Sequence, residues 1–145
     1  MIGLIQRVSS ARVDIDASTA AAIAHGIVAF IGVERGDTAQ RADGLLHRIV
    51  NYRIFPDSRD RMNLSLLDIR GDLLLVPNFT LPADTRKGNR PSFTPAAPPE
   101  SAEQLFSYLC AQAQGSLEQV GCGRFGADMQ VTLTNDGPVT FWLTS

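Results

Sequence analysis

Metal-binding and disulfide chemistry have little to work with in this chain, which holds two cysteines and two histidines in 145 residues. Cys110, Cys122, His25 and His47 fall in none of the CxxC or HxxxH spacings that hold a structural metal, so neither a metal site nor a disulfide is expected. No apolar run approaches the roughly 18 residues a membrane helix needs, and the opening MIGLIQRVSS is too short an apolar stretch for a secretory signal. A cytoplasmic protein without membrane contact is the expectation. An excess of one charge is missing too. With a net charge of −2, no whole-molecule field draws in nucleic acid, and any RNA contact has to be local. Lysine is nearly absent: Lys87 is the only one among 13 basic residues. The rest are arginines, which suit forked contacts to phosphate but equally follow from genomic base composition.

What is present fits one compact domain over residues 1–145, with 44% hydrophobic residues to fill a core. The first segment reads as a strand carrying Ile2 and Leu4, with Ile5 and Val8 breaking a clean alternation, and a second short strand follows at 11–15. The glycine-bounded, β-branched run 26–33 (GIVAFIGV) suits a strand buried on both faces. Asp37 to Gln40 reads as a capping box, and Ala42, Leu45, Leu46, Ile49 and Val50 recur at helical spacing, predicting a helix over 38–51. Leu73 to Val76 is a second β-rich run that ends in Pro77-Asn78-Phe79-Thr80-Leu81. The segment 82–99 holds five of the eight prolines and reads as a long ordered loop. Ser101 and Gln104 suggest a second capping box and a helix over 101–114, stopped by Gly115. Runs 129–134 and 139–143 flank the turn signal Asn135-Asp136-Gly137-Pro138, which predicts a closing hairpin. The fold class is therefore α/β (α+β), with two main helices. Asp57 and Asp60 lack the glycine and closing glutamate of a calcium loop, and are set aside.

Three segments carry candidate chemistry: 77–81, the basic loop 85–93 (TRKGNRPSF) and the tip 135–140 (NDGPVT). Both histidines fall elsewhere, so a Ser-His-Asp relay has no support. Thr80 is a nucleophile only with a base beside it; otherwise it is a threonine satisfying backbone at a strand end. Arg86, Lys87 and Arg90 either bind phosphates or form a solvated basic loop. Gly137-Pro138 reads from spacing alone as an ordinary turn, at the one kind of bond where a cis isomer is cheap. Arg7 reads as a structural arginine.

Over essentially its whole length, however, the sequence resembles the D-aminoacyl-tRNA deacylase (D-tyrosyl-tRNA deacylase) family. The likeness is carried by MIGLIQRVSSARV, NYRIFPD with MNLS, NFTL with ADTRKGNRPSF, GRFGADM and NDGPVTFWL. The resemblance implies a cytoplasmic homodimer of barrel-like fold, without cofactor or metal, that hydrolyses the ester of D-aminoacyl-tRNA. It implies catalysis around Phe79 and Thr80, with Met129 nearby, by backbone N–H groups and the 2′-hydroxyl of the terminal ribose. Gly137 and Pro138 would form a cis pair reaching into the other subunit's site, and Arg7 would help hold that region and the terminal adenosine. Arg86, Lys87 and Arg90 would bind the tRNA. Because L side chains are excluded sterically, glycine, including glycine mischarged on tRNA-Ala, would not be excluded. One departure stands out: Pro77-Asn78 replaces the family's usual Ser-Gln, removing an N–H and shortening an amide side chain by one methylene. Two other readings are a non-catalytic module that binds the tRNA end and a Thr-dependent esterase acting on small molecules.

Overall fold

In the computed structural model, which describes residues 1–145, the chain runs β1 (Ile2–Ile15), β2 (Ser18–Ile23), β3 (Gly26–Gly32), α1 (Ala39–Asn51), β4 (Phe55–Pro56), β5 (Met62–Leu64), α2 (Leu66–Ile69), β6 (Asp72–Pro77), α3 (Pro99–Ser116), β7 (Val120–Cys122) and β8 (Gln130–Thr144). Six strands form one mixed sheet in the order β2-β1-β3-β6-β7, with β8 also on β1, while β4 and β5 make a small separate ribbon. The pairs β3–β6 and β6–β7 are parallel and the others antiparallel. The ends of the path, β2 and β7, approach each other, so the sheet curls into a barrel-like form.

Two apolar layers explain why β3 and β6 are apolar without interruption. Ile27, Ala29, Ile31, Leu73 and Leu75 face the larger cluster, which α1 and α3 cover with Leu45, Ile49, Phe106 and Leu109. Their alternates Val28, Leu74 and Val76 face a smaller cluster inside the curl, with Val8, Val13 and Ile23. Each fully buried aliphatic contributes about 1.5–3 kcal/mol relative to exposure, so strands buried on both faces anchor the sheet.

Several elements depart from the sequence reading. The two short N-terminal strands are one strand, because β1 pairs with β3 through its first half, with β2 through its second, and with β8 along both. Ile5 breaks the alternation because it faces the larger cluster on the opposite side of the strand from Leu4, and Val8 because the ladder to β8 shifts register on both sides of it. The alanine-rich 18–23 segment is the strand β2. The cap of α1 is Thr38, whose hydroxyl accepts from Arg41 N; Asp37 instead takes the Met1 ammonium at 2.7 Å and the Glu34 N–H at 2.7 Å. Helix α3 starts at Pro99 with no side-chain cap, since a proline in the first turn has no N–H to satisfy, and it continues through Gly115. A third, four-residue helix, α2, carries a true capping box between Ser65 and Asp68.

The closing hairpin is absent. Both halves of β8 pair antiparallel with β1: Gln6 opposes Thr140 and Val8 opposes Asn135. Asp136–Val139 therefore bulges out of a continuous strand opposite Arg7 alone. Asn-Asp-Gly-Pro is a strong local turn signal, but both flanking runs find the same partner, and pairing with β1 overrides the turn.

Candidate active site

The carboxyl ends of the parallel strands β3 and β6 open onto a cavity of about 630 Å³. Its wall combines Ile31 and Val33 at the end of β3, Pro77, Asn78 and Phe79 at the end of β6, Phe106 on α3, Phe93 and Ala96 on the proline-rich loop, and Phe125 and Met129 before β8. Strand ends suit such a site, because the sheet fixes the backbone while the departing loops supply side chains. Phe79 is 62% exposed and packs on Phe93 with ring centroids 5.4 Å apart, forming an aromatic rim. Behind the wall, Gly123 allows the close approach: a Cβ there would lie 2.8 Å from the Met129 sulfur and 3.0 Å from Pro77.

The turn after β6 is set by Asn78. Its N–H donates to Ile31 O at 2.8 Å, extending the β3–β6 pairing by one bond. Its Oδ1 accepts from Thr80 N at 3.0 Å and from the Thr80 hydroxyl at 2.5 Å. Two consequences differ from the expectation of a pair of free backbone donors. The Thr80 N–H is engaged, whereas the Phe79 N–H makes no hydrogen bond within the chain. The Thr80 hydroxyl spends its proton on an amide oxygen, and no carboxylate, imidazole or amine hydrogen-bonds to it. Such a hydroxyl can accept but has no base to activate it.

Arg7, Gly137 and Pro138 lie away from this cavity, at the bulge. Arg7 Nε donates to Asp136 O at 2.8 Å and pairs with its carboxylate at 3.0 Å, while Nη1 donates to Ile54 O at 2.6 Å. Asn135 Nδ2 donates to Arg7 O and Val139 O, closing the neck of the bulge. The Gly137-Pro138 peptide bond is cis, and both residues are exposed. Arg86, Lys87 and Arg90 line a separate depression with Asp84 and Ser92. Asp84 accepts from Arg86 Nε at 2.9 Å and Nη2 at 2.7 Å; these bonds hold its carboxyl far below the usual carboxylate range. Arg86 is thus paired, and Lys87 and Arg90 are the cations left for a phosphate.

The structure thus gathers Phe79 and Met129 on one wall, sets Thr80 beside it, and leaves Arg7, Gly137 and Pro138 on a braced protrusion. The sequence reading missed Arg35 and Phe106 as cavity residues: Phe106 lies on a helical apolar stripe that reads as core, and Arg35 sits in no motif. No cluster of three or more potential metal-ligating side chains is present. No helix is long and apolar enough to cross a membrane.

Fold and site together define a barrel-like α+β protein with an apolar, aromatic-rimmed cavity, beside which the Thr80 hydroxyl has no base. The D-Tyr-tRNA(Tyr) deacylase family model matches residues 4–144. D-aminoacyl-tRNA deacylases of Stutzerimonas stutzeri (57% identity over 145 residues, 100% of both chains) and Alkalilimnicola ehrlichii (58% over 143 residues, 99% of this chain and 95% of the relative) are among its relatives. A solved c-Myc DNA Unwinding Element Binding Protein superposes with TM-score 0.95 at 34% identity, covering 100% of this chain and 99% of that one. A probable eukaryotic D-amino acid tRNA deacylase at 14% identity shares the fold, with TM-score 0.81 over 98% of this chain and 97% of that one. The chain belongs to the D-aminoacyl-tRNA deacylase family, and it is a hydrolase of that kind.

Proposed function

We propose that the protein works as a homodimer that removes D-amino acids, and glycine mischarged on tRNA-Ala, from the 3′ end of tRNA, each site being completed by the Gly137-Pro138 protrusion of a second copy. The observation that carries this reading is the separation within one chain of an open cavity beside Phe79 and a stiff protrusion that its own fold does not use. The outer edge of β8 pairs with nothing in the chain, and Trp142 on that strand is 52% exposed, which suits a face covered by a second copy.

The terminal adenine enters the apolar cavity and brings the ester to the Phe79 turn. The free Phe79 N–H is a fixed dipole for the developing oxyanion. The adjacent ribose 2′-hydroxyl positions the attacking water, supplying what Thr80 lacks. Backbone oxygens of the partner's Gly-Pro pair receive the substrate's amino group and fill the space where an L side chain would project. Specificity then arises by exclusion, and glycine, having no side chain, passes. Lys87 and Arg90 contact phosphates of the acceptor end.

Hydrolysis of D-tyrosyl-, L-tyrosyl- and glycyl-tRNA by chelator-treated protein tests the reading. The D and glycyl substrates are cleaved and the L substrate survives. If all three survive while the tRNA is still retained, the chain is a binding module for the tRNA end instead. Thr80→Val separates the mechanisms: with the 2′-hydroxyl as helper, single-turnover rates fall less than about tenfold, whereas loss of a nucleophile costs about a thousandfold or more.

A further inference from the structure

The cavity wall is largely apolar, and its only charged residues are Arg35 and Asp128. Arg35 follows β3 and is held tightly at one end. Its N–H donates to Pro95 O at 2.9 Å and its Nε to Thr94 O at 2.6 Å. The segments on either side are laced together as well, with Ala97 N on Val33 O and Glu34 bridged to Ala96. The other end of the guanidinium is free: neither Nη group has a partner within the chain, and Arg35 forms no ion pair. Only Arg7, Arg12, Arg41 and Arg86 pair with an aspartate, and among the unpaired arginines Arg35 is the one on the cavity wall. A guanidinium anchored through Nε with its two Nη groups directed elsewhere is arranged to grip an oxyanion by a two-point contact.

Resting on the deacylase reading, we infer that Arg35 binds the 5′-phosphate of the substrate's terminal nucleotide. An adenosine seated among Phe79, Phe106 and Met129 presents one anionic group, the phosphodiester on its 5′ side. Of the two charges on the wall, Asp128 repels that group and Arg35 attracts it. The basic loop lines a different depression and is left with phosphates farther up the strand. Arg35 is a binding residue: it holds the 5′ side of the nucleoside equally in the ground and transition states.

The test uses two minimal substrates, 3′-O-D-tyrosyl-adenosine and the same compound carrying a 5′-methylphosphodiester. The protein prefers the diester by about tenfold in kcat/KM, mainly through KM, because the contact exists in ground and transition states alike. Arg35→Ala brings the ratio of the two substrates to one, Arg35→Lys keeps part of it, and raising salt from 50 to 300 mM shrinks it in the unmodified protein. A parallel measurement, inhibition of D-tyrosyl-tRNA hydrolysis by adenosine and by adenosine 5′-monophosphate, gives the same ratio should the minimal substrates turn over slowly. Equal use of both compounds by the unmodified protein, or a preference that survives Arg35→Ala, overturns the assignment while leaving the deacylase reading intact. Failure of D-tyrosyl-tRNA itself to be hydrolysed overturns the reading beneath it.

Discussion

Gly137→Ala lowers kcat/KM for D-tyrosyl-tRNA by about 100-fold or more while moving the melting temperature by no more than about 3 °C. A Cβ at this position would lie 2.1 Å from Val139 N and 2.6 Å from Asn135 Oδ1. The first is backbone and the second belongs to the side chain that ties the neck of the bulge to Arg7 O and Val139 O. Neither yields without moving the protrusion, and a displacement of about 1 Å at a group that positions substrate costs two orders of magnitude. The fold survives because residues 136–138 are exposed or nearly so and lie outside the β1–β8 ladder. Single-turnover deacylation and a thermal melt give the two numbers. Activity within threefold of the unmodified protein removes the Gly-Pro pair from the site.

Gly26→Ala has the opposite signature. Its added Cβ would stand 1.9 Å from Asp72 O and 2.8 Å from Asp72 N, where β3 meets β6 in parallel register. Here the obstacle is main chain at the centre of the sheet. The neighbouring pairs Ile27–Leu73 and Val28–Leu74 are fully buried, so neither strand can slide aside without opening both cores. We expect a loss of more than about 4 kcal/mol, the range reached when a core must be forced apart, and a melting temperature lower by more than about 10 °C. Urea titration reads it directly, and near-normal stability would mean that β3 and β6 are not in this register.

These two glycines also mark what the sequence can and cannot convey. The dry strands β3 and β6 are legible because burial on both faces leaves no polar position, and α1 because its stripe has one period. The hairpin reading of β8, made from turn residues, and the division of β1, made from broken alternation, both rest on local signals, whereas the choice of partner is made by the whole sheet. Ser101 and Gln104 spell a cap and so point to a start at Ser101, although Pro98-Pro99 begins the helix without one. In the candidate site, Phe79 and Met129 are recognisable through family resemblance, as is the NDGPVT tip outside the cavity. Arg35 is not, because an arginine in an unremarkable turn gains meaning only when the chain folds it onto an apolar wall. Asn78 stands out in the sequence only as a departure from the family pattern, and its hold on Thr80 emerges from the turn geometry.

The bulge in β8 has a consequence for how such a protein can change. Its two flanks are registered independently, 140–144 against 2–6 and 130–135 against 8–14, each over several residue pairs. Residues added to or removed from the protrusion would leave both ladders where they are, since a strand loses its facing only when its own pairing slips. The reach of the tip is therefore adjustable by insertion or deletion, one residue at a time, while the barrel that presents it stays constant.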